Sequence, residues 1–347
     1  MRAGSLHILG MCCALYVAVV AAFVPKDFAI VLWQHVIVFA ISLPIIAAVT
    51  IGVAAFLENP AAPLSGARKI FGTFQLGAAA KIVLVFLLGV VAYNTFKFNI
   101  PRLIPFYADP FFANLDDLLH GQQPWRLLHK LPRGLTSGIV DFFYSVVWFG
   151  QWFGILLYVA LWNGGARKER YLWALALTTL VVGTAMATAL SSVGPIFYDR
   201  FYGGYRFDHL ADTLEADGPL SVKRFAAYLI ETYDGRAASF GSGISAMPSM
   251  HIAIATLNAL FLAGFQRSLA IAGWTFLAIM QFGSVYTGWH YAVDGYVSML
   301  VVGLIWWLTG RYFLSAEPLV RPVKVRARTA VRMAVRKQTR RPEGSAT

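Results

Sequence analysis

The sequence predicts an all-α fold, a polytopic membrane helix bundle of about eight transmembrane spans with interfacial helices. Three observations carry that expectation. Of the 347 residues, 58% are apolar or aromatic. Only 13% are charged, about half the usual share of a globular protein. The charges also bunch, leaving uncharged runs of roughly 18 residues or more, the length that crosses a hydrocarbon core about 30 Å thick. A soluble enzyme, a disordered chain and a secreted disulfide scaffold are excluded together. Cys12 and Cys13 are the only cysteines and sit side by side in an apolar run. They cannot build a disulfide framework, and they read as small hydrophobic residues of a helix.

The apolar runs fall at about 6–24, 28–57, 70–96, 136–162, 171–193, 249–265, 268–288 and 290–313. Eight spans put both termini on one side. The first run also has the form of a signal peptide, with Arg2 before it and Val20-Ala21-Ala22 as a cleavage site. Cleavage would leave every later span in the same orientation. Residues 315–347 hold nine Lys/Arg against Glu317 and Glu343, so +7 of the net charge of +12 lies in this tail. A basic tail directly after a span marks the cytoplasmic side, close to anionic inner-leaflet lipid, and makes nucleic acid an unneeded partner. The short loops agree: Arg68 and Lys69, then Arg167, Lys168 and Arg170, then Arg267, all fall on the tail's side. The two long connections, 97–135 and 191–248, therefore face outward, in an inner or plasma membrane with the active site on the periplasmic or extracytoplasmic side.

Each long connection carries an amphipathic stripe. Phe111, Leu115, Leu118 and Leu119 share one helical face, with Asp116 and Asp117 off it. Val222, Phe225, Ala226 and Leu229 form the second. In the tail, apolar Ala327, Val331, Ala334 and Val335 alternate with basic residues, which suits a helix on the inner leaflet or a solvated disordered tail.

Two clusters at the expected outer face carry chemistry. The first, Gly241-Ser242-Gly243-Ile244-Ser245-Ala246-Met247-Pro248-Ser249-Met250-His251, runs straight into a span. A proline at a helix start leaves the unpaired amides of the first turn facing outward beside the positive end of the dipole, which is an anion site. Ser249 adds a hydroxyl and His251 a titratable ring. The second cluster places His290 and Asp294 four residues apart, on one face if the chain is helical from about residue 289. A carboxylate accepting one imidazole proton leaves the other nitrogen as base or nucleophile. Two histidines, one carboxylate and one anion-binding helix start suit phosphoryl transfer.

Pro248-Ser249-Met250-His251 and His290 with Asp294 resemble the second and third signature motifs of the type 2 phosphatidic acid phosphatase superfamily. The fuller strings from Ile244 to His251 and from Gly288 to Asp294 resemble its inositolphosphotransferase-like branch, which includes inositol phosphorylceramide synthase. Ser191-Ser192-Val193-Gly194-Pro195 and, more loosely, Asp116 to Trp125 are similar to further landmarks of that branch. The resemblance covers roughly residues 100–313. The chain is expected to divide into N-terminal transmembrane helices over 1–96, a catalytic membrane core over 97–314 that carries the resemblance, and a basic cytoplasmic tail over 315–347, the first and last lying outside it. The resemblance implies that His290 is a nucleophile forming a phosphohistidine and that Asp294 orients it. His251 would protonate the leaving alkoxide and then activate water or alcohol, and Ser249 would hold phosphate oxygens. No metal or cofactor is implied.

The sequence departs from the family pattern in its cations. The first motif, a Lys and an Arg-Pro pair seven residues apart, is missing from the expected place, and Ser284 replaces an Arg before the nucleophile. Phosphoryl transfer needs positive charge on the equatorial oxygens. Arg200, Arg206, Lys223, Arg224 and Arg236 offer it from the second long connection, and Arg200 and Arg236 are the expected substitutes.

The expected activity is that of an integral-membrane lipid phosphatase or phosphotransferase acting on a phosphorylated lipid. The motifs do not separate water from an alcohol in the second step, and the resemblance to the branch raises transfer to a polyol such as inositol. The competing class is a non-enzymatic lipid transporter or binding protein. That class calls for charges deep in several spans and for repeated halves. Apart from Lys81 and Asp141 the spans are nearly uncharged, and no halves repeat.

Overall fold

The computed structural model describes residues 4–72 and 74–314, and the basic tail with its expected helix lies outside them. The described residues are helical throughout, with no strand. In chain order the helices are α1 (Ser5–Phe23), α2 (Pro25–Glu58), α3 (Pro63–Phe71), α4 (Leu76–Leu103), α5 (Asp109–His120) and α6 (Pro124–Leu128). Next come α7 (Gly134–Leu161) and α8 (Gly165–Ala189), each interrupted by a π-helical turn, at Phe142–Val147 and Val181–Met186. The second long connection holds α9 (Tyr198–Tyr202), α10 (Asp208–Asp217) and α11 (Leu220–Asp234). The chain ends in α12 (Met250–Leu262), α13 (Arg267–Tyr286) and α14 (Ala292–Leu314).

Among the described residues, α1, α2, α4, α7, α8, α13 and α14 are long and apolar enough to cross a membrane. This is an integral membrane protein. The run expected as a span at 249–265 differs: α12 has 13 residues, about 20 Å of helix against a hydrocarbon core of about 30 Å. The reason is its setting. Every residue from Ile252 to Ala259 is buried, and α7, α8, α13 and α14 surround the helix. A helix apolar on all sides belongs at the centre of a bundle. Its neighbours form the main core, with Tyr171, Leu257, Phe261, Met280 and Val302 among its buried members.

A second difference is at α4. The apolar pattern stops at about 96, yet the helix continues to Leu103. Polar groups in this last part are partnered inside the protein: Asn99 donates to the Thr95 carbonyl at 2.9 Å and to Asp27 of α2 at 3.1 Å, and Arg102 pairs with Asp27 at 3.2 Å. Satisfied polar groups let a helix run on past its hydrophobic signal.

The amphipathic stripes fold as helices. On α5, Phe111, Leu118 and Leu119 are exposed, as an interfacial helix requires. Asp116, which the sequence placed off the stripe, is turned inward and fully buried.

Candidate active site

Three connections converge at the N-terminal ends of α12 and α14. The segment after α8 meets the segment before α12 through the Ala246 amide on the Ser192 carbonyl (3.0 Å) and the Met247 amide on Ser192 Oγ (2.9 Å). It meets the turn before α14 through the Ile196 amide on the Gly288 carbonyl (2.8 Å). Gly194 has φ 84°, and a Cβ there would collide with the Trp289 carbonyl, so only glycine closes this junction.

Two buried carboxylates of α5 hold the junction. Asp109 accepts from the amides of Val193 (2.9 Å) and Gly194 (2.8 Å) and from the hydroxyls of Tyr202 (2.9 Å) and Tyr291 (3.0 Å). Burial pushes its carboxyl up from the ordinary value, and the four donors pull it part of the way back. Asp116 accepts from the amides of Ala292 (2.8 Å) and Val293 (3.0 Å), the first of α14. It is a cap supplied by another helix, and it favours the positive end of the α14 dipole. Burial raises its carboxyl as well, against those two amides and the nearby His120.

His290 therefore lies in the turn just before α14 rather than inside it. Its Nδ1 is 2.8 Å from the Ala246 carbonyl and 3.3 Å from Asp294 Oδ2. A backbone carbonyl and a carboxylate can only accept, so Nδ1 carries the proton and Nε2 keeps its lone pair. Burial pushes the His290 ring down to about 3, the Ala246 carbonyl opposing and the Lys97 charge adding to the fall. The ring is neutral at ordinary pH. Asp294 is fully buried; its Oδ2 also accepts from the Tyr291 amide at 3.1 Å.

His251, in the first turn of α12, stacks on Tyr144 at 4.5 Å and packs against Trp148 at 4.2 Å, both from α7. Tyr144 lies in the π-helical turn, a feature common at functional sites. The His251 and His290 ring centroids are 6.3 Å apart. Both rings line a cavity of about 910 Å³ whose other walls come from α2, α4, α7 and α11.

Residues 111–308 match the profile of the PAP2 superfamily. The chain belongs to that superfamily. Membership carries phosphatase- or phosphotransferase-type chemistry on lipid phosphates in broad terms. No curated protein and no solved structure matches this PAP2 superfamily member.

The fold brings His290, Asp294 and His251 together, and the other expected site residues stand elsewhere. Ser249 is fully buried, caps α12 through its Oγ on the Ile252 amide (3.4 Å), and does not line the cavity. Pro248 precedes this cap instead of sitting in the first turn. Arg200 pairs with Asp234 at 2.7 Å, both half exposed, and Arg236 does not line the cavity either. Both lie on the exposed surface of the second long connection. The cations that line the cavity are Lys97 of α4 and Arg224 of α11. Among the described residues Lys97 has no hydrogen-bond or ion-pair partner, and it is close enough to act electrostatically on both histidines. Sequence reading missed it because the apolar run ends one residue earlier. The available signal was Tyr93, Asn94 and Lys97, polar residues at helical spacing that all line the cavity.

Proposed function

We propose that this PAP2 superfamily member cleaves a phosphorylated lipid through a phosphohistidine on His290. The observation that carries the reading is the tautomer: both partners of Nδ1 are acceptors, so the lone pair on Nε2 is the free one at the cavity wall. Nε2 attacks phosphorus and the bond from phosphorus to the lipid oxygen breaks. Asp294, 3.3 Å from Nδ1, steadies the positive charge that the ring gains. As the imidazolium, the form that the charge of a bound phosphate dianion favours, His251 gives its proton to the departing alkoxide, then takes one from water, whose oxygen attacks phosphorus as the P–N bond breaks. The two rings stand on one cavity wall with centroids 6.3 Å apart, close enough to serve the same phosphoryl group. Lys97 is the cation for the equatorial oxygens, with Arg224 at the outer rim, in place of Arg200 and Arg236. We assign no phosphate contact to the Ser249 hydroxyl. The amides of the first α12 turn keep that role.

A second reading, transfer of the phosphoryl or phospho-headgroup to an alcohol as in the inositolphosphotransferase-like branch, is favoured by one feature. Asp141, Ser145 and Ser221 line the same cavity and are joined by hydrogen bonds, Ser145 to Ser221 at 2.8 Å and the Ser221 amide to Asp141 at 3.2 Å. A carboxylate among hydroxyls is a set that binds hydroxyl groups. We also place the site on the extracytoplasmic side. Helices over 1–96 complete the pocket of a core over 97–314, and the basic tail meets anionic inner-leaflet lipid.

The test is release of inorganic phosphate by detergent-purified protein and by His290→Ala. Phosphatidic acid, a prenyl diphosphate and a phosphosphingolipid serve as substrates, each with and without inositol. Hydrolysis lost in the variant supports the first reading, and headgroup transfer with little free phosphate supports the second. No reaction on any lipid contradicts both.

A further inference from the structure

We propose, resting on the lipid-phosphate reading above, that the part of the cavity beyond the histidines is a sleeve for one hydrophobic chain of the substrate. Its floor, formed by Phe39 and Ile46 of α2 and Phe153 of α7, sets the longest chain accepted. His35 marks the head end. It accepts from Asn94 of α4 at 2.8 Å, one turn before Lys97. From His35 the cavity follows α2 past Val38, Phe39 and Ser42 to Ile46, about 16 Å at the helical rise of 1.5 Å per residue. The facing wall is Trp148, Trp152 and Phe153. The charged residues and histidines of the lining lie at the head end, and the polar groups along the sleeve are Ser42 and the indole N–H groups of Trp148 and Trp152.

The floor is an aromatic contact. Phe39 meets Phe153 edge-to-face at 5.3 Å, and Phe86 backs Phe153 at 5.6 Å. Behind it is a separate void of about 20 Å³ that shares Phe39, Ser42, Ile46 and Phe153 and is otherwise walled by Phe86, Leu156 and other aliphatic side chains. That space holds no more than one small group, and its apolar lining suits no water. Removing the Phe153 ring would join the void to the sleeve.

The occupant we assign is the substrate's own tail, because the sleeve is continuous with the wall that carries His290 Nε2. A bulk lipid in the sleeve would have to put its headgroup between the two histidines. Phe39 and Ile46 of α2 lie outside the matched residues 111–308 and Phe153 of α7 lies inside them, so the gauge is built partly on a helix the shared catalytic region does not include.

The experiment is a kcat/KM profile over phosphatidic acids of increasing acyl length, for wild type, Ile46→Phe and Phe153→Ala. Each protein is first checked for an unchanged melting temperature. Ile46→Phe is expected to lose about tenfold or more on the longest chains and little on the shortest, the scale of a clash with a few methylenes. Phe153→Ala should move the optimum to longer chains. Active variants that keep the wild-type profile overturn the sleeve and leave the lipid-phosphate reading standing. Wild type inactive on every chain removes phosphatidic acid as the substrate, and a second arm then decides the sleeve without turnover. In it, phosphatidic acid with a terminal diazirine in its acyl chain is photolysed on wild type. Label on 39–46 or 149–157 supports the sleeve, and label confined to other helices overturns it.

Discussion

His290 is a buried imidazole whose geometry admits one tautomer, and its titration ties that geometry to stability. Its folded value is pushed down to about 3, below the ordinary 6.5. Between those values the unfolded chain binds a proton that the folded chain does not. Stability from this group is therefore whole above about pH 6.5 and is lost as pH falls toward 3. Melting temperatures in detergent from pH 7 down to pH 4 should fall, and His290→Ala should fall less steeply. Equal slopes would mean that the ring is not held neutral. Asp109 gives a second residue-scale prediction. An asparagine presents an amide group to donors that need acceptors, so Asp109→Asn should destabilise by about 3 kcal/mol, read as a lower melting temperature. A variant as stable as wild type would mean that the four bonds to Asp109 do not hold the junction.

Helix α4 shows where a sequence-level boundary and the physical one part. The apolar pattern ends at 96, and residues 97–103 look like loop because most of their signal is polar. Inside the bundle Asn99 reaches Asp27, and Lys97 lines the cavity. His290 and Asp294 were legible because i to i+4 spacing is local, and His251 because it follows Pro248-Ser249 at the head of an apolar run. Asp109 and Asp116 were not, because their partners lie more than 75 residues away, nor was Lys97, whose cavity is completed by other helices. Arg200 and Arg236 stood in the right stretch of chain, but nothing local foretold that Arg200 would be drawn to Asp234. If Lys97 is the cation of the site, Lys97→Met should lower kcat/KM by about a hundredfold, the scale of removing one charge-stabilising donor. Steady-state kinetics of the purified variant would show it, and an unchanged kcat/KM would return the role to another cation.

The whole molecule is a bundle that surrounds a short apolar helix and sets its polar start against the turn before α14. All-helical architecture was readable from charge-free runs alone. The short central helix was not, since α12 is as apolar as a true span and only its burial by four neighbours distinguishes it. Charge on the short loops sets the orientation we propose. With both native cysteines replaced by serine, Arg236→Cys should react with a membrane-impermeant maleimide added outside sealed cells, and Arg167→Cys should react only after lysis. The reverse pattern would put the site on the cytoplasmic side. The central claim, that Nε2 of His290 takes the phosphoryl group, is tested most directly by trapping. Protein is mixed with a lipid phosphate labelled in its phosphoryl group, quenched within one turnover and mapped by mass spectrometry. The account predicts label on His290, stable in base and lost in acid, and absent from His290→Ala. Phosphate release without any protein-bound label, or label that persists in His290→Ala, would contradict it.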